Sequence, residues 1–211
     1  MLLVSSLLKQ VMNRSVLGAI VFAATIPLAA AQGTLDDGLA AYRSGDYVKA
    51  VEVWRPLAVQ GNAVAQYRLG ALYAEGKGVA QDDGAAMTWF QRSANQGNAE
   101  AQYNVGASYA EGAGVAKNDD EAAKWFRRAA EQGMPYAQIN IGLLYAAGRG
   151  VPQSNVDAMK WLGLAVIALP PGGPRSDAAR AMQDVADKIT PEEARAAREQ
   201  TRAWRPTPEK K

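Results

Sequence analysis

The chain has 211 residues, of which 48% are hydrophobic and 21% are charged, with 23 basic against 21 acidic side chains. This composition is typical of a globular protein and excludes a disordered or collagen-like chain. The chain contains neither cysteine nor histidine, which excludes disulfides, thiol nucleophiles, Ser-His-Asp triads and the usual zinc sites. An enzyme built on this sequence would have to use carboxylates, lysine, tyrosine, serine or threonine.

Residues 1–31 have the organisation of a secretory signal peptide. One lysine and one arginine lie before or at the start of an apolar run over residues 15–28, and the segment contains no acidic residue. Three alanines follow, which predicts cleavage between Ala31 and Gln32; Met12 is an alternative start that leaves a more compact signal. Because the run is shorter than the roughly 20 residues of a membrane span, we expect a periplasmic or secreted protein with no membrane span after cleavage.

Removal of this segment leaves equal numbers of basic and acidic side chains. Net charge therefore gives no reason to expect nucleic acid or an anionic lipid surface as the partner. A secreted chain without cysteine has to be stable through packing alone.

A period of 36 residues runs through the middle of the chain. The residues that recur at this period are Gly61, Gly97 and Gly133; Gly70, Gly106 and Gly142; Tyr73, Tyr109 and Tyr145; Gly76, Gly112 and Gly148; Gly78, Gly114 and Gly150; and Trp89, Trp125 and Trp161. A fixed period of this length indicates stacked supersecondary units.

Each unit is predicted to form two helices joined by a glycine turn. In the second unit Asn98 stands at the N-cap of the first helix, and Gly112 is expected to end that helix in the left-handed conformation. The second helix is predicted over about 119–132. Its apolar residues have helical spacing, as do those of the first helix; the two sets are Ala101, Val105 and Tyr109, and Ala122, Trp125, Phe126 and Ala129. Because one hairpin cannot bury its apolar face alone, neighbouring hairpins have to stack.

These motifs resemble those of a known family. Residues 97–132 closely resemble the consensus of the Sel1-like repeat (SLR) family, a subclass of tetratricopeptide-like repeats, and residues 61–96 and 133–168 resemble it almost as well. The third unit departs from the consensus at Asn155 and Val156, where the acidic start of the second helix is diluted. The resemblance implies an all-α, right-handed α-solenoid of stacked helix-turn-helix hairpins and a role in envelope signalling or assembly.

Both ends are predicted to cap this solenoid. The expected segments are an N-terminal capping hairpin over 32–60, a linker over 169–175, C-terminal capping helices over 176–206 and a tail over 207–211. The capping helices are placed at about 176–188 and 191–204, and Thr190 and Glu193 form a capping box at the start of the second. Four arginines on this last helix form a stripe that is expected to be a solvated face, with an acidic partner or lipid as the alternative; they are Arg195, Arg198, Arg202 and Arg205.

Resemblance to tetratricopeptide geometry implies that the first helices of the units line a concave, partner-binding face. The residues placed there are Tyr67, Arg68, Ala71, Glu100, Tyr103, Asn104, Tyr136, Ile139, Asn140 and Leu143. Tetratricopeptide domains that clamp a terminal carboxylate carry Lys and Asn at such positions. The Tyr, Ile and Ala found here favour an aromatic, apolar groove for a protein segment instead. The alternative is that these side chains pack between the hairpins.

The sequence therefore predicts a non-enzymatic, exported adaptor that binds another envelope protein or peptide segment, with no catalytic residues, cofactor or metal. Its glycine turns follow helices rather than strands, which argues against phosphate loops. The alternative is a cell-wall protein that binds or hydrolyses peptidoglycan, including β-lactamase-like activity. The Ser-x-x-Lys motif of such enzymes occurs at Ser6 to Lys9, inside the predicted signal peptide, and so gives this alternative no support.

Overall fold

The computed structural model describes residues 33–209. In this part of the chain all regular structure is helical, which confirms the predicted all-α solenoid of stacked helical hairpins. The helices are α1 (Leu35–Arg43), α2 (Tyr47–Val59), α3 (Ala63–Glu75), α4 (Asp83–Asn95), α5 (Ala99–Glu111), α6 (Asp119–Glu131), α7 (Pro135–Ala147), α8 (Asn155–Ala168), α9 (Gly173–Ala186) and α10 (Pro191–Ala203). The predicted signal peptide lies outside the described residues.

Helices α3 to α8 form three hairpins, which we number repeats 1 to 3, and each consists of a helix A followed by a helix B. The predicted ends of helix A are confirmed. The Asn98 side chain accepts a hydrogen bond from the Ala101 amide at 2.7 Å, and Gly112 ends α5 with φ +84°. In repeat 3, Pro135 begins α7, where its missing N–H leaves no hydrogen bond unmade.

The two helices of each hairpin cross at a glycine of helix A. In repeat 2 a Cβ at Gly106 would lie 2.7 Å from the Phe126 ring, so only glycine allows α5 and α6 to approach this closely. Ala101 and Val105 are completely buried at this crossing, and Trp125 and Phe126 are buried with them. The predicted apolar stripes therefore form the core.

Neighbouring repeats meet through the second glycine of each hairpin turn. A Cβ at Gly114 would collide with the carbonyl oxygen of Asp83, at the start of the preceding helix B, and a Cβ at Gly150 would collide with that of Asp119. Both glycines have a positive φ, of +68° and +66°. The turn of one repeat thus closes against the helix B of the repeat before it.

The N-terminal hairpin, α1 and α2, covers the free side of repeat 1. Trp54 is 1% exposed and its indole N–H donates to the Leu35 carbonyl at 3.3 Å. Gly45 separates the two helices with φ +82°, and the Asp46 side chain caps α2 as predicted. Helix α2 continues through Pro56 to Val59.

Helices α9 and α10 both pack against α8 at the other end. Helix α9 begins at Gly173, three residues before the predicted start, because Pro174 falls in the first turn, where its missing N–H costs no hydrogen bond. It ends at Ala186, two residues earlier than predicted. The capping box of α10 is confirmed, since the Thr190 hydroxyl accepts from the Glu193 amide and the Glu193 carboxylate accepts from the Thr190 amide.

After α10 the chain folds back along the repeats through residue 209. The Trp204 ring lies edge-on to Trp161, with their centroids 6.3 Å apart, and the Thr207 amide donates to the Glu131 carbonyl at 2.8 Å. The segment predicted as a tail over 207–211 is therefore docked on the repeats as far as the structure describes it.

Candidate functional site

The ten residues predicted for the concave face lie on α3, α5 and α7, and all of them retain some exposure. We call this set the A-helix face. Tyr136 and Leu143 are 47% and 42% exposed, and Glu100 is exposed as well, whereas the other seven are half-buried. Contiguous exposed apolar side chains mark surfaces that bind a partner, whereas single ones are common on any protein surface.

The tyrosines of the A-helix face also pack against the core. The Tyr103 ring lies 5.7 Å from Phe126 in its own repeat and 6.4 Å from Tyr136 in the next, measured between centroids. Tyr67 lies 6.1 Å from Phe90 in the same way. Tyr67 and Tyr103 therefore contact the core, as the packing alternative predicts, while each residue keeps part of its surface accessible.

A cleft of about 270 Å³ opens on this face between α5 and α7. Three residues of the A-helix face, Tyr103, Asn140 and Leu143, line it. Glu111 and Arg149 contribute one charge of each sign to its wall. The cleft thus offers an aromatic ring, an aliphatic side chain and an amide to one bound segment.

The polar residues of the A-helix face make different contacts. The Arg68 guanidinium lies 5.4 Å from the centre of the Tyr67 ring. The Asn104 side chain donates to the Glu100 carbonyl of its own helix at 2.9 Å. Asn140 is the member that lines the cleft.

One ion pair lies beside the cleft. Arg149 donates from Nε and Nη2 to the two carboxylate oxygens of Asp119, at 2.9 and 2.8 Å. These hydrogen bonds lower the pKa of Asp119 and raise that of Arg149. Elsewhere on the A-helix face, burial raises the pKa of Tyr67, which keeps its phenol neutral at physiological pH. The pair joins the turn of repeat 3 to the helix B of repeat 2.

Buried glutamines form a further repeated feature that the sequence analysis missed. Gln66, Gln102 and Gln138 occupy one repeat position and are at most 4% exposed. Gln102 donates to the Ala94 carbonyl at 3.2 Å and accepts from Gln132 at 2.8 Å. Their recurrence at the 36-residue period was the available signal, because a polar residue kept at a buried position needs a defined partner.

Repeat 3 lacks one bond of this pattern. The Gln138 side chain donates to the Ala130 carbonyl, but its oxygen Oε1 is buried without a hydrogen-bond partner among the described residues. The position that Gln132 holds in repeat 2 is Ala168 in repeat 3, and alanine has no donor to offer.

The arginine stripe of the last helix faces solvent. Arg195, Arg198, Arg202 and Arg205 are all exposed, and the Arg205 guanidinium donates to the carbonyls of Arg202 and Trp204.

Within residues 33–209 no acidic cluster is placed to hold a metal ion, and no helix combines the length and hydrophobicity of a membrane span.

Stacked hairpins that present an aromatic cleft define a helical-repeat scaffold of the kind that binds other proteins. A family model described as the Sel1 repeat matches residues 63–98, 99–134 and 135–166. The chain is similar to a Sel1 repeat protein from Oxalobacter formigenes whose crystal structure is known. The two sequences are 30% identical and the TM-score is 0.63, over 76% of this chain and 72% of that chain. The chain belongs to the Sel1 repeat family, whose members generally mediate protein–protein interaction as non-catalytic scaffolds.

A second solved structure supports the same fold. It is c5321, a protective antigen of uropathogenic Escherichia coli that displays an SLR fold, at 26% identity and a TM-score of 0.54. The match covers 79% of this chain but 45% of c5321, so the chain spans less than half of that protein. No curated protein matches the chain.

Proposed function

We propose that the protein is an exported adaptor that holds a segment of another envelope protein in the cleft of the A-helix face. The observation that carries this proposal is the cleft of about 270 Å³ between α5 and α7, which brings together Tyr103, Asn140 and Leu143. The export step rests on the signal-like sequence of residues 1–31. N-terminal sequencing of the protein from the periplasm should begin at Gln32.

The side chains of the cleft suit a protein segment. Tyrosine supplies a large contact area and loses little side-chain conformational entropy on binding. Buried aromatic anchors contribute most of the binding energy of many interfaces. Tyr136 and Leu143 would be covered by an apolar side chain of the partner, which releases water from both surfaces. The Asn140 amide can donate to and accept from the partner's backbone.

Site-directed photo-crosslinking in cells tests the proposal. A photoreactive residue at Leu143, inside the cleft, should capture one defined envelope protein. The matched position is Ile167, which is 73% exposed on α8 and lies outside the A-helix face. Replacing Tyr103 and Tyr136 by Ala should remove the Leu143 product while leaving the far-UV helix signal unchanged. The same product from both positions, or no effect of the double substitution, would contradict the proposal.

The cell-wall alternative is tested with the same protein. Tyrosine rings that are partly exposed beside an amide, as at Tyr136 and Asn140, can also stack on sugar rings. Sedimentation with isolated peptidoglycan that is lost on Tyr136→Ala would favour glycan binding over an adaptor. Turnover of muropeptides or nitrocefin would instead assign an enzyme.

A further inference from the structure

The C-terminal segment, residues 204–209, lies along the edge where each helix B turns into the next helix A. Trp204 and Pro206 approach to 3.6 Å from where a Cβ of Gly133 would stand, and the Cβ of Glu209 lies 3.4 Å from the corresponding point at Gly97. We call this surface, defined by Gly97, Gln102, Arg128 and Gly133, the turn edge.

The segment has no regular secondary structure, its two prolines favour an extended backbone, and its contacts follow the repeats. Pro206 and Pro208 prevent it from continuing α10 as a helix. Pro206 lies at Gly133 and Glu209, three positions later, lies at Gly97, so that the segment advances by one repeat over these three positions.

The turn edge holds the Glu209 carboxylate with donors that other contacts within the repeats orient. Arg128 donates from Nε, at 3.0 Å, and from Nη2 to one oxygen, and the Gln102 amide donates to the other. Gln102 is fully buried and held by Ala94 and Gln132, while the Arg128 guanidinium lies 4.3 Å from the centre of the Trp125 ring. Charge-assisted bonds from such oriented donors recognise a carboxylate specifically.

The same donors recur one repeat earlier. Arg92 lies 4.7 Å from the centre of the Trp89 ring, and Gln66 is buried and bonded to the Ala58 carbonyl and to Gln96. A cleft of about 530 Å³ beside them is lined by the turn over 61–64, by the turn over 95–97 and, at one end, by Glu209. The turn edge therefore continues beyond the described segment that lies on it.

In repeat 3 the pattern is replaced. Leu164 stands where repeat 2 has Arg128, and Trp204 of the C-terminal segment lies against Trp161. Between its two half-buried ends, Trp204 and Glu209, the segment is exposed from Arg205 to Pro208. The exposed stretch is held by the hydrogen bond from the Thr207 amide to the Glu131 carbonyl and by Pro206 against Gly133. Because these few contacts lie on the surface of the repeats, the segment can leave without unfolding them.

We propose that the turn edge binds an extended acidic segment of a protein partner, reading one carboxylate per repeat, and that residues 204–209 occupy it in cis until such a segment displaces them. The occupant is inferred from the segment already seated there, which is extended, contains proline and is read through its glutamate. This surface uses none of the ten residues of the A-helix face. Failure of either proposal therefore leaves the other standing.

Fluorescence anisotropy with a labelled synthetic peptide tests the proposal. The probe is AWRPTPE with an amidated C-terminus, a copy of residues 203–209, added to the full chain. Because a tethered segment competes at an effective concentration of roughly millimolar, we expect the Glu209→Gln chain to bind the probe about tenfold more tightly than the unchanged chain. A probe with glutamine in place of its glutamate should bind the Glu209→Gln chain at least about tenfold more weakly.

Matched arginine variants locate the site. In the Glu209→Gln chain, Arg128→Gln should abolish binding of AWRPTPE, whereas Arg92→Gln, at the equivalent position, should leave it unchanged. The longer probe AWRPTPEKKE carries a second glutamate three residues on. It should bind more tightly than AWRPTPE, and Arg92→Gln should remove only this gain.

A charge reversal protects the test against misfolding of the variants. Arg128→Glu should lose the glutamate probe and gain a probe with arginine in its place. Equal binding by the unchanged and Glu209→Gln chains, or equal binding of the glutamate and glutamine probes, would overturn the proposal. So would concentration-dependent dimers that bind no probe, because these would assign the segment to the turn edge of a second copy.

Discussion

The second glycine of each hairpin turn is required for two separate reasons. Gly114 has φ +68°, a conformation that L side chains adopt only at a cost. A Cβ there would also collide with the carbonyl of Asp83 in the preceding repeat. Gly45 has a similar φ, of +82°, but no atom lies within 4 Å of the point where its Cβ would stand. A comparison of Gly114 with Gly45 therefore separates the cost of backbone strain from the cost of close packing.

We predict that Gly114→Ala destabilises the protein more than Gly45→Ala does. Gly45→Ala should cost about 1 kcal/mol, the penalty of the left-handed conformation alone. Gly114→Ala should cost about 2–4 kcal/mol, since the collision between repeats adds to that penalty. Urea unfolding followed by circular dichroism measures both values. Equal losses would mean that neighbouring repeats can separate without cost.

The Asp119–Arg149 pair gives the stability of the stack a pH dependence of known sign. The hydrogen bonds from Arg149 lower the pKa of Asp119. A group with a lowered pKa stabilises the folded state above its unfolded-state pKa, about 3.9 for Asp, and the stabilisation is lost as pH falls through the folded-state pKa.

Arg149→Gln should therefore lower the Tm at pH 7, and this difference from the unchanged protein should disappear as the pH falls below about 4. Thermal unfolding followed by circular dichroism over pH 2–7 measures the effect. Arg195→Gln, at an exposed position of the arginine stripe, serves as the control. A difference in Tm that persists unchanged at pH 2 would show that Arg149 acts through packing rather than through Asp119.

At the scale of the helices, the glutamine pattern joins the end of helix B to helix A of the same repeat in repeats 1 and 2. Gln132 completes this contact in repeat 2 by donating to Gln102. In repeat 3 Ala168 leaves the buried Oε1 of Gln138 without a partner among the described residues. A buried acceptor without a donor carries its desolvation cost in the folded state.

We predict that Ala168→Gln raises the free energy of unfolding by about 1 kcal/mol, because its amide can donate to Gln138. Ala168→Glu is the matched control, since it has the same length but presents a second acceptor to the first. Urea unfolding midpoints at constant m value measure both changes. An increase with Glu as large as that with Gln would exclude the hydrogen bond as the cause.

The helix boundaries show which local features a sequence can reveal. Asn98 and Gly112 define α5 by capping chemistry that depends on a few neighbouring residues, and both could be predicted. The predicted start of α9 is three residues too late, because Pro174 and its two preceding glycines resemble a linker. Gly173 and Pro174 nevertheless lie in the first turn of α9, because proline is tolerated at that position of a helix.

Over the whole molecule, the stacking of the repeats could be predicted because each repeat contacts mainly its neighbours, so that long-range structure reduces to a period. The docking of residues 204–209 could not, because Glu209 meets Arg128 and Gln102, which lie 81 and 107 residues earlier. Within the A-helix face the period located the candidate residues. The period does not predict which of these residues line the cleft, because this depends on how their side chains pack.

The repeated contact between a turn glycine and the preceding helix B also bears on how such a protein can grow. Suppose that a duplicated unit of 36 residues is inserted between residues 96 and 97. Its turn glycine would contact the helix B carbonyl of repeat 1, and its own helix B carbonyl would contact the turn glycine of repeat 2. Trp204 and Glu209 would keep their places, because both are set by repeats 2 and 3. Duplication within the gene can therefore lengthen the turn edge while both ends of the molecule stay as they are.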